Sequence, residues 1–393
     1  MTPAARVQAA IEVLDLVIAA ARENGPPADR IIADWFRPRR FAGSGDRRAV
    51  RELAYRAIRA CGELPTSGRA AMLMAAKGDP ALAALFDGSR HAPEPITPDE
   101  PVAEAGIAPR WLAEALAESG IAGVDAAALL ERAPLDIRVN ALKASRDTIR
   151  LPLAGEPTVA TEGLRFPFGT PVEQWDVYRD GAIEVQDTGS QLACMAVGAR
   201  PGETVIDLCA GAGGKTLALA ADMANRGTLI ACDTDRSRLS RLAPRAQRAG
   251  VTIAEAMLLD PDREAEALAD WQGRVDAVLV DAPCSGTGTW RRNPEARWRL
   301  TEAQLARYVA VQARLLDVAA DLVREGGRVV YVTCSLLDRE GADQAEGFLS
   351  RHSGWRSDAP ALAAGTPRGP GLRLHPARDA TDGFFIAHLT RMC

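Results

Sequence analysis

The chain has 393 residues, of which 47% are hydrophobic and 25% charged, and its formal net charge is −5. This length exceeds what one hydrophobic core usually organises, so at least two domains are expected. The composition is typical of a soluble globular protein. The acidic balance excludes a chain that is basic overall, although a local basic patch stays open.

The cysteines and histidines do not form the spacings of a zinc site. Seven cysteines include no Cys-x-x-Cys pair, and the four histidines are not paired at ligand spacing. A disulfide framework and a bound metal are therefore not expected. The N-terminus lacks a signal-peptide layout and no apolar run could span a bilayer, so we expect no membrane association and a cytoplasmic location.

Residues 1–130 are predicted to form an all-α domain, because "ARVQAAIEVLDLVIAAAREN" and "DRRAVRELAYRAIRACGEL" carry apolar residues at helical spacing. Asp46 is the expected N-cap of the second helix. Eight arginines between positions 37 and 59 face only two acidic residues. They form either a solvated helix face or a phosphate-binding patch, and the candidates for RNA contact are Arg47, Arg48 and Arg51.

The next two segments change in pattern. Residues 131–190 contain the strand-like "PLDIRVNALK" and the strand-then-helix "DGAIEVQDTGSQLA", which predict a small α+β subdomain. From 191 to 393, apolar strands at 205–208 and 228–232 and in "VTIAEAM", "VDAVLVD" and "GRVVYVT" alternate with helices. The helices are expected at 215–224, 236–250 and 302–324. This alternation predicts a parallel, doubly wound Rossmann-like sheet, with "GFFIAHL" as a late antiparallel edge strand.

A glycine-rich turn, "DLCAGAGGKT", follows the first of these strands. A phosphate-binding P-loop would need glycine where Cys209 stands, and a dinucleotide fingerprint would need glycine where Thr216 stands. S-adenosylmethionine needs a glycine turn and an acid after the second strand for its ribose, and Asp233 is there. Asp260, after the third strand, is a candidate for the adenine amino group. A tight turn with a helix-capping aspartate stays as the alternative.

Two cysteines, Cys284 and Cys334, each follow the end of a strand on the ligand side of the sheet. The usual interpretation of a lone cysteine is a small buried hydrophobe, and Cys61, Cys194, Cys232 and Cys393 receive it. If the two strands are neighbours, the thiols of Cys284 and Cys334 face one pocket. A thiolate that adds to carbon 6 of a pyrimidine makes carbon 5 nucleophilic, and a second thiol can assist release. A carboxyl group such as Asp281 can then select cytosine through ring nitrogen 3 and the exocyclic amine.

These motifs carry a resemblance to a known family. The stretches "DLCAGAGGKT", "VDAPCSGTGTWRRNPEARW", "VTCS" and "TDGFFIAHL" resemble the signature motifs of the Sun/Nop (RsmB-like) family of RNA cytosine-5 methyltransferases. The similarity covers about residues 130–393. The helical region, with "DRRAVRELAYRAIR", resembles the NusB-like RNA-binding domain of the bacterial family member that acts on 16S ribosomal RNA.

The resemblance implies roles for individual residues. It implies S-adenosylmethionine as cofactor, Cys334 as the nucleophile and Cys284 as the residue for product release. The implied cofactor residues are Cys209, Ala210, Gly211, Gly213, Gly214, Lys215, Asp233, Asp260 and Asp281. The chain departs from the family at Gly211-Ala212, where Ala-Pro is common, and in "MLLDP", where Asn or Gly usually precedes the aspartate.

The implied substrate is a flipped or single-stranded cytosine, in 16S rRNA by the same resemblance. Transfer RNA stays open as a substrate, as does a catalytically weak RNA-binding or antitermination module. By itself, "WRRNPEARW" is equally typical of a surface loop with buried tryptophans. Its position directly after the Pro-Cys motif favours the substrate cleft, where Trp290 and Trp298 would stack on bases and Arg291 and Arg292 would hold phosphates.

Overall fold

The computed structural model describes every residue from Met1 to Cys393 and contains two compact units. The helical unit comprises residues 1–131 and 289–301, and the sheet unit comprises residues 132–288 and 302–393. The sequence predicted a boundary near residue 130 and a further one near 190. The main difference from the predicted division is that residues 289–301 belong to the helical unit.

The helical unit contains seven α-helices and one 3-10 helix, Pro294–Trp298. The α-helices are α1 (Pro3–Arg22), α2 (Ala28–Phe36), α3 (Ser44–Ala60), α4 (Gly68–Ala76), α5 (Pro80–Ala83), α6 (Arg110–Glu118) and α7 (Gly123–Ala128). Asp46 is not the N-cap of α3, because the helix already begins at Ser44 after the extended Gly43. Instead, the Asp46 carboxylate accepts hydrogen bonds from the Met1 amino group (3.2 Å) and Arg6 Nε (2.8 Å).

The 289–301 segment completes the core of the helical unit. Trp298 packs in the same buried cluster as α1, α3 and α4, and its indole N–H donates to the Gly62 carbonyl (3.2 Å). Arg297 is fully buried and donates to the carbonyls of Ile58 (2.6 Å) and Cys61 (2.7 Å) at the C-terminal end of α3. The segment therefore fills a core and satisfies helix-end carbonyls, which is a structural role.

A small antiparallel sheet opens the sheet unit, in the order β2-β3-β1-β4. Its elements are β1 (Leu135–Val139), β2 (Glu156–Pro157), β3 (Gly163–Phe166), α8 (Asp176–Arg179) and β4 (Ile183–Val185). Phe166 and Trp175 pack edge to face in its core, with ring centroids 5.3 Å apart. The small α+β part predicted for this region is present.

A nine-stranded mixed sheet follows, and its β7, β6, β5, β8 and β9 are parallel neighbours in that order. The elements are α9 (Thr188–Val197), β5 (Thr204–Asp207), α10 (Gly214–Asp222), β6 (Thr228–Asp233), α11 (Arg236–Leu239), α12 (Leu242–Ala249), β7 (Ala254–Leu258), α13 (Glu264–Ala267), β8 (Val275–Asp281), α14 (Glu302–Leu322), β9 (Val323–Thr333), α15 (Ala342–Arg351), β10 (Trp355–Asp358), β11 (Thr366–Arg368), β12 (Gly371–Leu374), α16 (Pro376–Asp379) and β13 (Phe384–Arg391). The buried strands carry almost continuous apolar runs, as a parallel sheet covered on both faces requires.

Two details differ from the sequence-based expectations. The helix predicted over 236–250 is two short helices, α11 and α12, and Pro244 lies in the first turn of α12, where a missing N–H is tolerated. The strand β13 is antiparallel as expected but lies between β9 and β12 rather than at the edge. None of the helices combines the length and the apolar character needed to cross a bilayer.

Candidate active site

The glycine turn between β5 and α10 requires glycine at two positions. Gly211 (φ 57°) and Gly213 (φ 85°) both adopt left-handed backbone conformations. A Cβ atom on Gly213 would lie 2.3 Å from Leu242 Cδ1, and one on Gly211 would lie 2.7 Å from a guanidinium nitrogen of Arg238. The turn is therefore packed closely against α11 and α12.

Asp233, at the end of β6, connects the glycine turn to the loop that follows its own strand. One carboxylate oxygen accepts from the Gly211 N–H (2.7 Å) and the other from the Asp235 N–H (2.7 Å). Each oxygen has further lone-pair capacity, so Asp233 can still accept from the hydroxyl groups of a ribose. The predicted ribose acid is thus held in place by two backbone groups.

Lys215, in the first turn of α10, forms an ion pair with Asp281 at the end of β8. The distance between Lys215 Nζ and Asp281 Oδ2 is 2.6 Å. Burial disfavours the charged ammonium, but the adjacent Asp281 carboxylate outweighs burial and raises the pKa of Lys215 above its ordinary value. Lys215 therefore acts on the site as a fixed positive charge that orients Asp281.

Asp207 lies beneath the turn and is fully buried. Its Oδ2 accepts from the Thr216 hydroxyl (2.6 Å), while its Oδ1 has no hydrogen-bond partner. Burial raises the pKa of Asp207 from 3.8 to about 7. Ionising this carboxyl group therefore destabilises the folded chain.

The raised pKa of Asp207 predicts how the stability of the folded chain changes with pH. Between about pH 4 and pH 7 the folded state holds a proton that the unfolded state has released, so its contribution to stability falls as pH rises through that window. Asp207→Asn keeps an acceptor for Thr216 but cannot ionise. We expect the variant to gain up to about 4 kcal/mol over the wild type between pH 4 and pH 8. Urea unfolding at each pH measures the difference, and a difference that is constant with pH contradicts the assignment.

The structure brings the two predicted thiols together. β8 and β9 are parallel neighbours with Asp281 opposite Val332, so Cys284 and Cys334 leave the same edge of the sheet. The two sulfur atoms are 3.3 Å apart. The hydrogen bond with Cys334, followed by burial, raises the pKa of the Cys284 thiol well above its usual value. The Cys284 thiol therefore retains its proton at neutral pH, next to the sulfur of Cys334.

A buried polar network holds the two cysteine loops in register. The fully buried Glu340 carboxylate accepts from Ser285 N (2.9 Å), from the Ser285 hydroxyl and from Gln312 Nε2 (3.1 Å). Ser335 Oγ lies 3.2 Å from both Ser285 Oγ and Thr287 Oγ1. These bonds connect the loop after β8 with the loop after β9, so the spacing of the thiols rests on polar groups that neither cysteine motif reveals alone.

A cavity of about 580 Å³ opens at this edge of the sheet. Five of the predicted site residues line it: Cys209, Asp233, Asp281, Cys284 and Cys334. The other predicted cofactor residues, Ala210, Gly211, Gly213, Gly214, Lys215 and Asp260, do not. Its volume suits a small-molecule site, and the glycine turn with Asp233 fits the ribose side of S-adenosylmethionine. The chain holds no cluster of side chains suited to a metal ion.

Asp260 lies outside the cavity lining, and three residues that the sequence did not predict lie within it. Asp260 is exposed, while Leu259, Pro261 and Asp262 on either side of it line the cavity. Arg238, Tyr308 and Arg314 also line the cavity, and Arg314 is held by ion pairs to Glu264 and Asp262. They come from α11 and α14, and no local motif marks them. To predict them, one would need to know which faces of α11 and α14 turn toward the strand ends.

The residues predicted to contact RNA have different environments. Arg47, Arg48 and Arg51 are exposed on α3, and Arg292 is half-buried. Arg291 is 7% exposed, which argues against its predicted phosphate contact. Trp290 and Trp298 are buried and present no ring face to a base, so their predicted stacking role was wrong. They were misjudged because a tryptophan between arginines has the same sequence pattern in a core as on a surface.

Comparison with known proteins places this site in a family. A family model described as "16S rRNA methyltransferase RsmB/F" matches residues 194–390. The chain is 37% identical to the ribosomal RNA small subunit methyltransferase B of Xylella fastidiosa (strain 9a5c), over 72% of this chain and 68% of that protein. It is 36% identical to the probable ribosomal RNA small subunit methyltransferase B of Synechocystis, over 65% of this chain and 60% of that protein. The alignment thus spans about 60% of the length of the latter relative.

A solved structure shares the whole fold. The crystal structure of PH0851 superposes with a TM-score of 0.75 at 24% identity and covers 100% of this chain and 99% of that one. The expected fold class, an α/β methyltransferase domain preceded by an α-helical domain and a small α+β part, is confirmed. The chain therefore belongs to the RsmB/F family of 16S rRNA methyltransferases, as its motifs predicted, with S-adenosylmethionine as the cofactor.

Proposed function

We propose that this chain methylates carbon 5 of a cytosine in RNA, with 16S ribosomal RNA as the substrate. The observation that carries the proposal is the pair of thiols, Cys284 and Cys334, 3.3 Å apart in a cavity that also contains the Asp281 carboxylate. The names of the relatives support ribosomal RNA of the small subunit as the target. Two thiols and an acid at one strand edge are otherwise hard to explain in a binding module.

The proposed chemistry begins at Cys334. Its sulfur adds to carbon 6 of the cytosine, and the electron pair of the C5–C6 double bond makes carbon 5 nucleophilic. Bound S-adenosylmethionine supplies the electrophilic methyl group. Carbon 5 then loses its proton to water, and the electron pair of that C–H bond re-forms the C5–C6 double bond. The bond from carbon 6 to Cys334 breaks with its electron pair on the sulfur, which takes a proton from the adjacent Cys284 thiol.

Asp281 is proposed to recognise the cytosine ring. Its carboxylate would accept a hydrogen bond from the exocyclic amine, which uracil lacks, and from ring nitrogen 3 once that nitrogen is protonated in the adduct. Lys215, 2.6 Å away, fixes the carboxyl group and counteracts its charge. On the cofactor side, Asp233 and the backbone of the Cys209–Gly214 turn would hold the ribose and the methionine part. Asp260 stays a predicted adenine contact.

Nucleoside analysis tests the proposal directly. The full chain is incubated with S-adenosylmethionine and either 16S rRNA or a transfer RNA pool, and digested nucleosides are separated by mass spectrometry. We expect 5-methylcytidine from 16S rRNA and at least about a thousandfold less product from Cys334→Ala, as for loss of a catalytic nucleophile. Cys393→Ala, which removes an exposed thiol, is the matched control. Normal methyl transfer by Cys334→Ala would falsify the assigned nucleophile, and product from transfer RNA alone would reassign the substrate.

A further inference from the structure

The loop between α2 and α3 of the helical unit presents an aromatic ring to solvent. The loop has the sequence "RPRRFAG", and Phe41 near its end is 74% exposed, more than any other phenylalanine of the chain. Its neighbour Ala42 is buried, so the backbone is anchored at this point. Phe41 is therefore an apolar ring held at a fixed place on the surface of the helical unit.

Two arginines, Arg39 and Arg47, fix this loop through contacts with aromatic rings and backbone carbonyls. The guanidinium of Arg39 lies 3.8 Å from the Trp35 ring centroid and donates to the Trp35 carbonyl (2.7 Å). The Arg47 guanidinium lies 5.5 Å from the Phe36 ring centroid, and its Nε donates to the Ala42 carbonyl (3.0 Å). Cation–π contacts and carbonyl bonds at both ends restrict the loop. Phe41 is therefore presented from a preformed support.

The surroundings of Phe41 are strongly positive. Residues 37–51 contain six arginines and a single acid, Asp46, in a chain whose net charge is −5. Asp46 is itself neutralised by Arg6 and the Met1 amino group, while Arg37 and Arg39 are paired with Asp34 and Glu12, which lie outside this stretch. Arg48 and Arg51 are exposed one turn apart on α3, and Arg40 is exposed beside Phe41. This charge favours a polyanion as the ligand over an apolar protein segment.

We propose that Phe41 and the arginines of residues 37–51 form a binding surface for unpaired RNA. A base stacks on the Phe41 ring, and Arg40, Arg48 and Arg51 contact the flanking phosphates. The inference rests on the proposed RNA substrate and adds a contact to it that lies outside the catalytic cavity. Stacking on one ring requires a base that is not already paired, so the surface selects single-stranded segments.

A binding experiment with the full chain tests this surface. The probe is a fluorescent 16-nucleotide single-stranded RNA of mixed sequence, compared with the same strand in a duplex, and anisotropy is measured at several salt concentrations. Phe41→Ala is expected to weaken single-strand binding roughly 5- to 100-fold and to reduce the preference over duplex. The double variant Arg48→Gln/Arg51→Gln should lower the slope of log affinity against log salt by about 1.4. Val124→Ala, which trims an 83% exposed side chain of the same unit, should bind as the wild type does.

A second variant gives a signal specific to stacking. Phe41→Trp should keep the affinity, and its added indole fluorescence should be quenched by the single strand but not by the duplex. Equal single-strand affinity of Phe41→Ala and wild type overturns the proposal, as does a wild-type chain that does not bind the probe. If one of these results is found but 5-methylcytidine still forms in 16S rRNA, only the proposal for this surface is wrong. If no RNA is methylated, the proposed function has failed independently.

Discussion

Cys284→Ala is expected to accumulate a covalent protein–RNA complex that survives denaturation. In the wild type, the Cys284 thiol keeps its proton and lies 3.3 Å from the Cys334 sulfur, in position to donate to that sulfur as it leaves carbon 6. Alanine removes this donor but leaves Cys334 and the cavity in place. Release should then slow by roughly a hundredfold or more, the usual contribution of a placed proton donor, while addition continues.

The measurement is a denaturing gel of protein incubated with 16S rRNA and labelled S-adenosylmethionine. We expect a slow-migrating band for Cys284→Ala and none for Cys334→Ala or for the double variant, since Cys334 forms the bond. Cys284→Ser should accumulate less adduct than Cys284→Ala because a hydroxyl retains a donor. A band in Cys334→Ala would reverse the two roles, and turnover of Cys284→Ala at the wild-type rate would remove Cys284 from release.

The convergence of these groups was predictable from sequence because it follows from the topology of a parallel sheet. Strand ends of β5, β6, β8 and β9 meet at one edge, so Asp233, Asp281, Cys284 and Cys334 had to come close once the alternating pattern was recognised. The glycine turn was recognisable for the same reason. Here local patterns and fold topology point to the same arrangement.

The remaining contacts depend on long-range packing that no local pattern encodes. Glu340 reaches Ser285 across 55 residues, and Arg297 reaches Ile58 across 239 residues. A buried carboxylate and a buried guanidinium look like surface charges in a sequence, because charged side chains are rarely buried without partners. The tryptophans of "WRRNPEARW" were assigned to RNA because the stretch follows the Pro-Cys motif, whereas both are buried and Trp298 belongs to the helical core.

The burial of Trp298 leads to a second large expected effect: the helical unit should not fold without residues 289–301. Trp298 is part of its core, and Arg297 donates to the carbonyls of Ile58 and Cys61 at the end of α3. Trp298→Ala in the full chain should destabilise this unit by about 3–5 kcal/mol, the usual cost of removing a large aromatic side chain from a core. A fragment of residues 1–131 should lack a cooperative unfolding transition.

Hydrogen exchange with mass spectrometry locates the effect within the full chain. In Trp298→Ala, amide protection should fall in α1 and α3, while strands β5, β8 and β9 of the sheet unit keep theirs. Asn293→Ala, at an exposed position of the same segment, is the matched control and should leave both units unchanged. Unchanged protection of α1 and α3 in Trp298→Ala, or a fragment 1–131 that unfolds cooperatively, would show that the helical unit is complete without the segment. The expected loss would instead establish that a stretch following the Pro-Cys motif is a structural part of the helical unit.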